Sequence, residues 1–311
     1  MQKPTIGITL GDPAGIGPEV VAKSLMKPAI RKLADFVLIG DAVIYRRYSS
    51  RHFTNCSFVD LNKASPKNIR LGHPNSHSAI ASLFYLERAV HLLKQKEITA
   101  LVTAPVCKEA ITALGKDFHG HTEFLADAFQ VKNYDMMFVT KTLRTVIVTR
   151  HLALKDVSKA LTKDKVFQTI KLANRALKQY FRIKNPRLAV AGINPHAGEG
   201  GTIGKEELTT IIPAIQNAKA KGIRVIGPLP ADTLFTPMVT KNYDCIIAMY
   251  HDQGLIPIKT LYFRNVVNLT IGLPFIRTSP AHGTAFNIAG KNKADPSSMM
   301  EAIRLAAAVK T

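Results

Sequence analysis

The chain has 311 residues, 46% of them apolar and 21% charged, with 42 Lys and Arg against 22 Asp and Glu, a formal charge of +20. At about 150 residues per domain this length suggests two domains, with a core large enough to fold without disulfide or metal staples. The composition excludes disorder, collagen and coiled coil as the main architecture, and no apolar run nears the ~18–20 residues of a membrane span.

The opening MQKPTIGITLGDPAG has one Lys and no long apolar stretch, so it does not read as a secretory signal and a cytoplasmic location is expected. In chain order, 5–10 reads as a strand. Residues 18–27 read as a helix with Pro18 in its first turn, where a missing N–H costs nothing. Strand 36–40, the long helix 76–96 and strand 100–103 follow. Residues 121–131 read as helical, and 136–140 with 145–149 as paired strands. The stretch 157–182 reads as helix with a break near Thr162. Then come strand 188–191, helix 205–221, strands 224–226, 245–249 and 265–270, and a closing helix 296–309. This alternation means an α/β protein with a largely parallel sheet covered by helices, in which ligands sit at the carboxyl ends of strands.

The positive charge is spread along the chain and attracts anions. It is densest over 155–184, where Lys171, Arg175, Lys178 and Arg182 share one helical face and Val166, Ile170, Ala173 and Leu177 another. A solvated outer face of an amphipathic helix explains this better than a nucleic-acid surface. Aromatic residues are 7% and Trp is absent, which leaves few stacking platforms. Cys56, Cys107 and Cys245 are odd in number and widely spaced, so reduced thiols are expected, with neither a zinc knuckle nor a disulfide framework.

The residues after the strands carry the chemistry. Gly11-Asp12-Pro13-Ala14-Gly15-Ile16-Gly17 allows tight turns ahead of a helix N-terminus suited to an anion, but its order is not the Rossmann G-x-G-x-x-G. The run from His196 to Lys205 fails as a P-loop: Gly198 is one residue too far from Gly204, and Glu206 replaces the required Ser or Thr. His151, His196 and His251 follow three different strands. Singly each reads as a structural residue; together, three neutral imidazoles with an open fourth position describe a catalytic divalent-metal site. Asp232 and Asp252 are nearby carboxylates for a supporting or base role. A second set would suit an anionic substrate: the run His119 to Glu123, with His121 and Thr122, opens a helix, and Lys259, Asn268 and Arg277 lie late in the chain near strand ends. Singly each reads as a surface or capping residue, whereas together cations, an amide and a helix N-terminus make a phosphate or carboxylate clamp.

Eight motifs, GDPAGIGPE, TAPVCKEAI, FHGHTEFLAD, VTRHLAL, GINPHAGEGG, GPLPADTLF, YHDQGLIPIK and SPAHGTAFNIAG, in this order resemble the 4-hydroxythreonine-4-phosphate dehydrogenase family of pyridoxal phosphate biosynthesis, over essentially the whole chain. The first and last also resemble segments of the wider isocitrate and isopropylmalate dehydrogenase superfamily, the last at the NAD adenosine.

The resemblance implies two α/β/α domains with the active-site cleft between them. It divides the chain into 1–135 with 278–311, and 136–277 carrying the dimer interface. It implies a homodimer with its site at the subunit interface, His151, His196 and His251 as metal ligands (the last given by the partner subunit), and His121, Thr122, Lys259, Asn268 and Arg277 as substrate ligands. NAD or NADP would lie against His282, Gly283 and Asn287. Three histidines without a carboxylate favour zinc or cobalt, with magnesium the family's alternative. The implied reaction oxidises 4-phosphohydroxy-L-threonine to a β-keto acid that loses carbon dioxide to give 3-amino-2-oxopropyl phosphate. The alternatives are a dehydrogenase of threonate or erythronate 4-phosphate on the same fold and, in a different class, a basic nucleic-acid-binding protein.

Overall fold

The computed structural model describes residues 3–309. In chain order its strands are β1 (Thr5–Thr9), β2 (Asp35–Gly40), β3 (Cys56–Asp60), β4 (Ala100–Thr103), β5 (Asp135–Val139), β6 (Arg144–Ile147), β7 (Leu188–Ala191), β8 (Val225–Leu229), β9 (Cys245–Ala248), β10 (Val267–Ile271) and β11 (Ile276–Pro280). The described residues up to Lys132 and from Leu273 onward form one compact unit, and Asn133–Gly272 another. Among the described residues no helix is long and apolar enough to cross a membrane.

In the first unit the strands run parallel in the order β3-β2-β1-β4-β11. β4 is buried throughout, and so is β1 after its first residue, as expected of central parallel strands covered on both faces. Helix Ser76–Lys94 packs on β1 and β2. Its N-terminus is held by a reciprocal capping box between Asn75 and Ser78. Helix Ser297–Ala308 packs on β4, β11 and helix Gly17–Leu25. Glu19 and Lys23 then tie the chain's two ends together: Ala294 N–H donates to Glu19 Oε1, and Lys23 Nζ donates to the carbonyls of Asn292 and Ala294. β11 belongs here because Arg277 pairs with Leu101 of β4, so Arg277 sits in the first unit and not in the second, where the expected boundary had placed it.

In the second unit the order is β10-β5-β6-β9-β7-β8, with β5 antiparallel to both neighbours and the rest parallel. The expected pairing of β5 with β6 is present. The helical stretch breaks at Thr162, whose side chain caps helix Lys163–Phe181 by accepting from Lys165 N–H. Elsewhere the structure departs from expectation. The segment expected as one helix over 205–221 opens as a widened turn, Glu207–Ile211, before helix Ile212–Ala220. Pro213 has no N–H to give the preceding turn, and Glu207 is drawn inward by the backbone of Ile193 and Asn194. Helix His251–Tyr262, unmarked in the sequence because it contains Gly254 and Pro257, lies close on β6. A side chain at Gly254 would sit 2.9 Å from Ile147, so glycine permits that approach.

Candidate active site

β6 and β9 run in parallel register, Ile147 opposite Ala248, and Thr149 N–H and Oγ1 both donate to Met249 O just beyond. The two chains therefore leave the sheet side by side, and the rings of His151 and His251 lie 5.6 Å apart. His251 Nδ1 is 2.7 Å from Asp252 Oδ1. A carboxylate only accepts, so Nδ1 is the donor of this bond, and Nε2 is the ring nitrogen it leaves unengaged. Gln253 links this end to the next strand, accepting from Met249 N–H and donating to Gly192 O after β7.

His196 lies beyond β7 in a segment of unusual backbone. Its φ is +51°, and Ala197, Gly198, Glu199, Gly200 and Gly201 are also left-handed. Non-glycine residues hold that conformation only where the surroundings impose it. Buried Glu207 does so: Oε1 accepts from Ile193 and Asn194 N–H, both at 2.8 Å, and Oε2 from Asn194 Nδ2 at 2.9 Å. A Cβ at Gly198 would stand 2.5 Å from that carboxylate. Among the described residues no three His, Cys, Asp or Glu side chains of this chain form a metal-holding group, so His151 and His251 are brought together and His196 does not join them. Asp232 is exposed, and its short helix Ala231–Leu234 packs against the His196 segment.

Lys259 and Asn268 lie away from the histidine pair. Lys259 is two helical turns, about 12 Å, beyond His251. Asn268 pairs with Phe138 and through it is level with Thr145, at the opposite end of β6 from His151. Its Oδ1 is buried without a hydrogen-bond partner.

The first unit holds a different cluster. Arg277 is 2% exposed. Its Nε and Nη2 donate to Thr103 Oγ1 at the end of β4, and its Nη1 to Thr122 Oγ1. Burial pulls the guanidinium down to about 10, with the Glu123 carboxylate acting the other way. His121 opens helix His121–Ala128. Burial, then Arg277 and Lys108, hold its imidazole well below the usual histidine range, so it is neutral, and its buried Nε2 has no hydrogen-bond partner. Lys108, Glu123 and Thr103 belong to this cluster too, and the sequence pattern assigns none of them a role. Gly120 shows why the first two matter: a Cβ there would meet Lys108 Nζ at 3.2 Å and Glu123 Oε2 at 3.1 Å. The Gly-His-Thr opening of this helix was the only signal that could have drawn attention to them.

The two glycine-rich segments of this unit adjoin. Ile16 N–H donates to Thr284 O, and Gly72 N–H to Ala14 O. Gly283 has open space around it, Asn287 is exposed in the turn Phe286–Ile288, and His282 Nδ1 contacts Gly283 O at 3.0 Å. Asp12, fully buried, accepts from Ala14 N–H and Ser78 Oγ, and burial pushes its carboxyl up to about 6.

The fold is similar to that of isocitrate dehydrogenase from Methylococcus capsulatus, which superposes with a TM-score of 0.51 at 15% identity, over 96% of this chain and 83% of that one. The chain belongs to the pyridoxal phosphate biosynthetic protein PdxA family, whose model matches residues 20–306. It is 41% identical to the 4-hydroxythreonine-4-phosphate dehydrogenase of Desulforapulum autotrophicum, over 98% of this chain and 95% of that protein. The crystal structure of the enzyme of that name from Klebsiella pneumoniae is 38% identical, with a TM-score of 0.86 over 98% of this chain and 97% of that one. A relative from Oceanobacillus iheyensis, described as a candidate D-threonate 4-phosphate dehydrogenase, is also 41% identical, over 98% of this chain and 97% of that protein.

Proposed function

We propose that this chain oxidises 4-phosphohydroxy-L-threonine with NAD or NADP, and that the resulting β-keto acid loses carbon dioxide to give 3-amino-2-oxopropyl phosphate for pyridoxal phosphate synthesis. Buried Arg277, with Thr103, Thr122 and the helix opening at His121, is the observation that carries this reading. A dry guanidinium beside a helix N-terminus suits a phosphate dianion. The partnerless His121 Nε2 and Asn268 Oδ1 suit the substrate's other polar groups, with Lys259 a further cation. Anchoring the phosphate fixes where the hydroxyl carbon lies, which is how these residues aid the reaction.

His151 and His251, the latter steadied by Asp252, have the donor chemistry for zinc or cobalt, with magnesium the alternative. In this reading His196 is the third ligand, and the set is completed across a homodimer. Such an ion, when bound, supplies Lewis acidity to the substrate hydroxyl, and the nicotinamide supplies the hydride acceptor. Asp232 and Asp252 are the carboxylates assigned to proton removal. His282, Gly283 and Asn287 are assigned to the cofactor's adenosine. The homodimer is supported by large apolar side chains exposed in the second unit, among them Leu154, Met238, Ile256 and Phe263. A cytoplasmic location agrees with three free cysteines.

The Oceanobacillus relative favours a second reading, oxidation of threonate 4-phosphate by the same residues. NADH formation with each substrate, with and without a chelator, tests both. Chelator-sensitive turnover of the amino substrate is expected. Turnover of the sugar acid alone would establish the second reading, and chelator-resistant turnover would remove the metal.

A further inference from the structure

The first unit contains a cavity that none of the candidate site residues lines. It lies under the crossover from β2 to β3, with about 80 Å³ of interior space that opens to solvent. Leu38 and Ala42 form an apolar, buried floor. Tyr45, Phe53 and Phe58 form aromatic walls, with the Tyr45 and Phe58 rings tilted at 57° and 5.8 Å apart. Burial pushes the Tyr45 phenol up to about 12, so that wall stays neutral. Arg31 covers Phe53 by cation–π contact at 4.1 Å, which fixes the ring.

The rim has the opposite chemistry. Arg46, Arg51 and His52 are exposed there, and no carboxylate lines the cavity. Among the described residues none of these three side chains is paired with an acid. An aromatic slot with two unpaired guanidiniums at its mouth matches a ligand with one flat ring and a doubly charged group. A purely apolar ligand would leave the arginines unused, and a bare anion would leave the aromatic walls wet.

We propose that this cavity is a binding site for a small aromatic phosphate, a single planar ring carrying a phosphomonoester, separate from the residues assigned to oxidation. The walls take the ring, and Arg46 and Arg51 take the phosphate.

The chain has no tryptophan, so a Phe53→Trp variant places a single indole in the cavity wall. Titration with phenyl phosphate should change its fluorescence saturably. Inorganic phosphate and benzyl alcohol, each offering half of the ligand, should bind about tenfold more weakly or worse. Adding Arg46→Glu and Arg51→Glu should weaken phenyl phosphate by about tenfold or more while turnover is kept. No saturable change in a variant that still turns over, equal binding of inorganic phosphate, or indifference to the arginine substitutions would each overturn the proposal. If Phe53→Trp fails to fold, calorimetry of phenyl phosphate on the unsubstituted protein against the Arg46→Glu/Arg51→Glu protein decides it. Binding at the Arg277 cluster would be the same in both, so unchanged total binding overturns the proposal.

Discussion

Arg277 and Asp12 are both ionisable groups removed from water, and their surroundings treat them differently. Arg277 finds two threonine hydroxyls and a nearby carboxylate, so its charge is retained. Asp12 has the backbone N–H of Ala14 at 2.8 Å, a longer contact from Ser78 at 3.4 Å and a smaller contribution from the backbone of Cys107, and burial outweighs them. A carboxyl whose folded value rises from 3.8 to about 6 binds more protons folded than unfolded between those values. The fold therefore loses stability as pH rises through that window, and above about 6 the full penalty is in place. A rise from 3.8 to about 6 corresponds to at most about 3 kcal/mol. Asp12→Asn should remove this dependence. Because buried Asp135 is raised to about 6 as well, the wild-type slope will not vanish in the variant. The quantity to read is wild-type minus variant unfolding free energy by denaturant, which should fall between pH 4 and pH 7. A constant difference would show that Asp12 titrates normally in the folded protein.

At the scale of elements, Glu207 makes the His196 segment possible. It is the acceptor that turns Ile193 and Asn194 inward and packs beneath Gly198. Glu207→Ala would strand two backbone N–H groups and release the left-handed run. Divalent-ion affinity by calorimetric titration should fall about ten- to a hundredfold, with about 2–4 kcal/mol of stability lost. Unchanged ion affinity would detach His196 from the metal. Nothing in the sequence marks Glu207 for this role, since its partners are backbone groups in a loop. By contrast, Ala100–Thr103 and Leu188–Ala191 lie where their apolar runs place them, because central parallel strands are hydrophobic on both faces. β11, Ile-Arg-Thr-Ser-Pro, hides because its buried arginine and proline imitate a loop. β3 hides because it is an edge strand with a mixed pattern. Histidines stand out as residue types after strands, so they were legible. Lys108 and Glu123 owe their place to the space left by Gly120, which only the fold displays.

At the scale of the whole molecule, the proposed metal site could be complete within one chain or shared between two. In one chain the rings of His151 and His251 are neighbours beyond parallel strands, whereas among the described residues His196 does not complete a group of three with them. The exposed apolar side chains of Ile256 (63%) and Phe263 (71%) lie on and just after the helix that His251 opens. Pairing through that helix would carry His251 toward a second subunit. If the partner supplies His251, a His251→Ala chain and a His196→Ala chain each spoil a different half of every site. In a mixed dimer one site loses both halves and the other is whole. Random reassortment of the two inactive proteins should then restore about a quarter of wild-type turnover, since half of the dimers are mixed and each has one intact site of two. If all three ligands come from one chain, every site in the mixture lacks a histidine and turnover stays at zero. Two inactive proteins, dissociated, mixed and reassociated, thus distinguish a site shared between subunits from one that is complete within each.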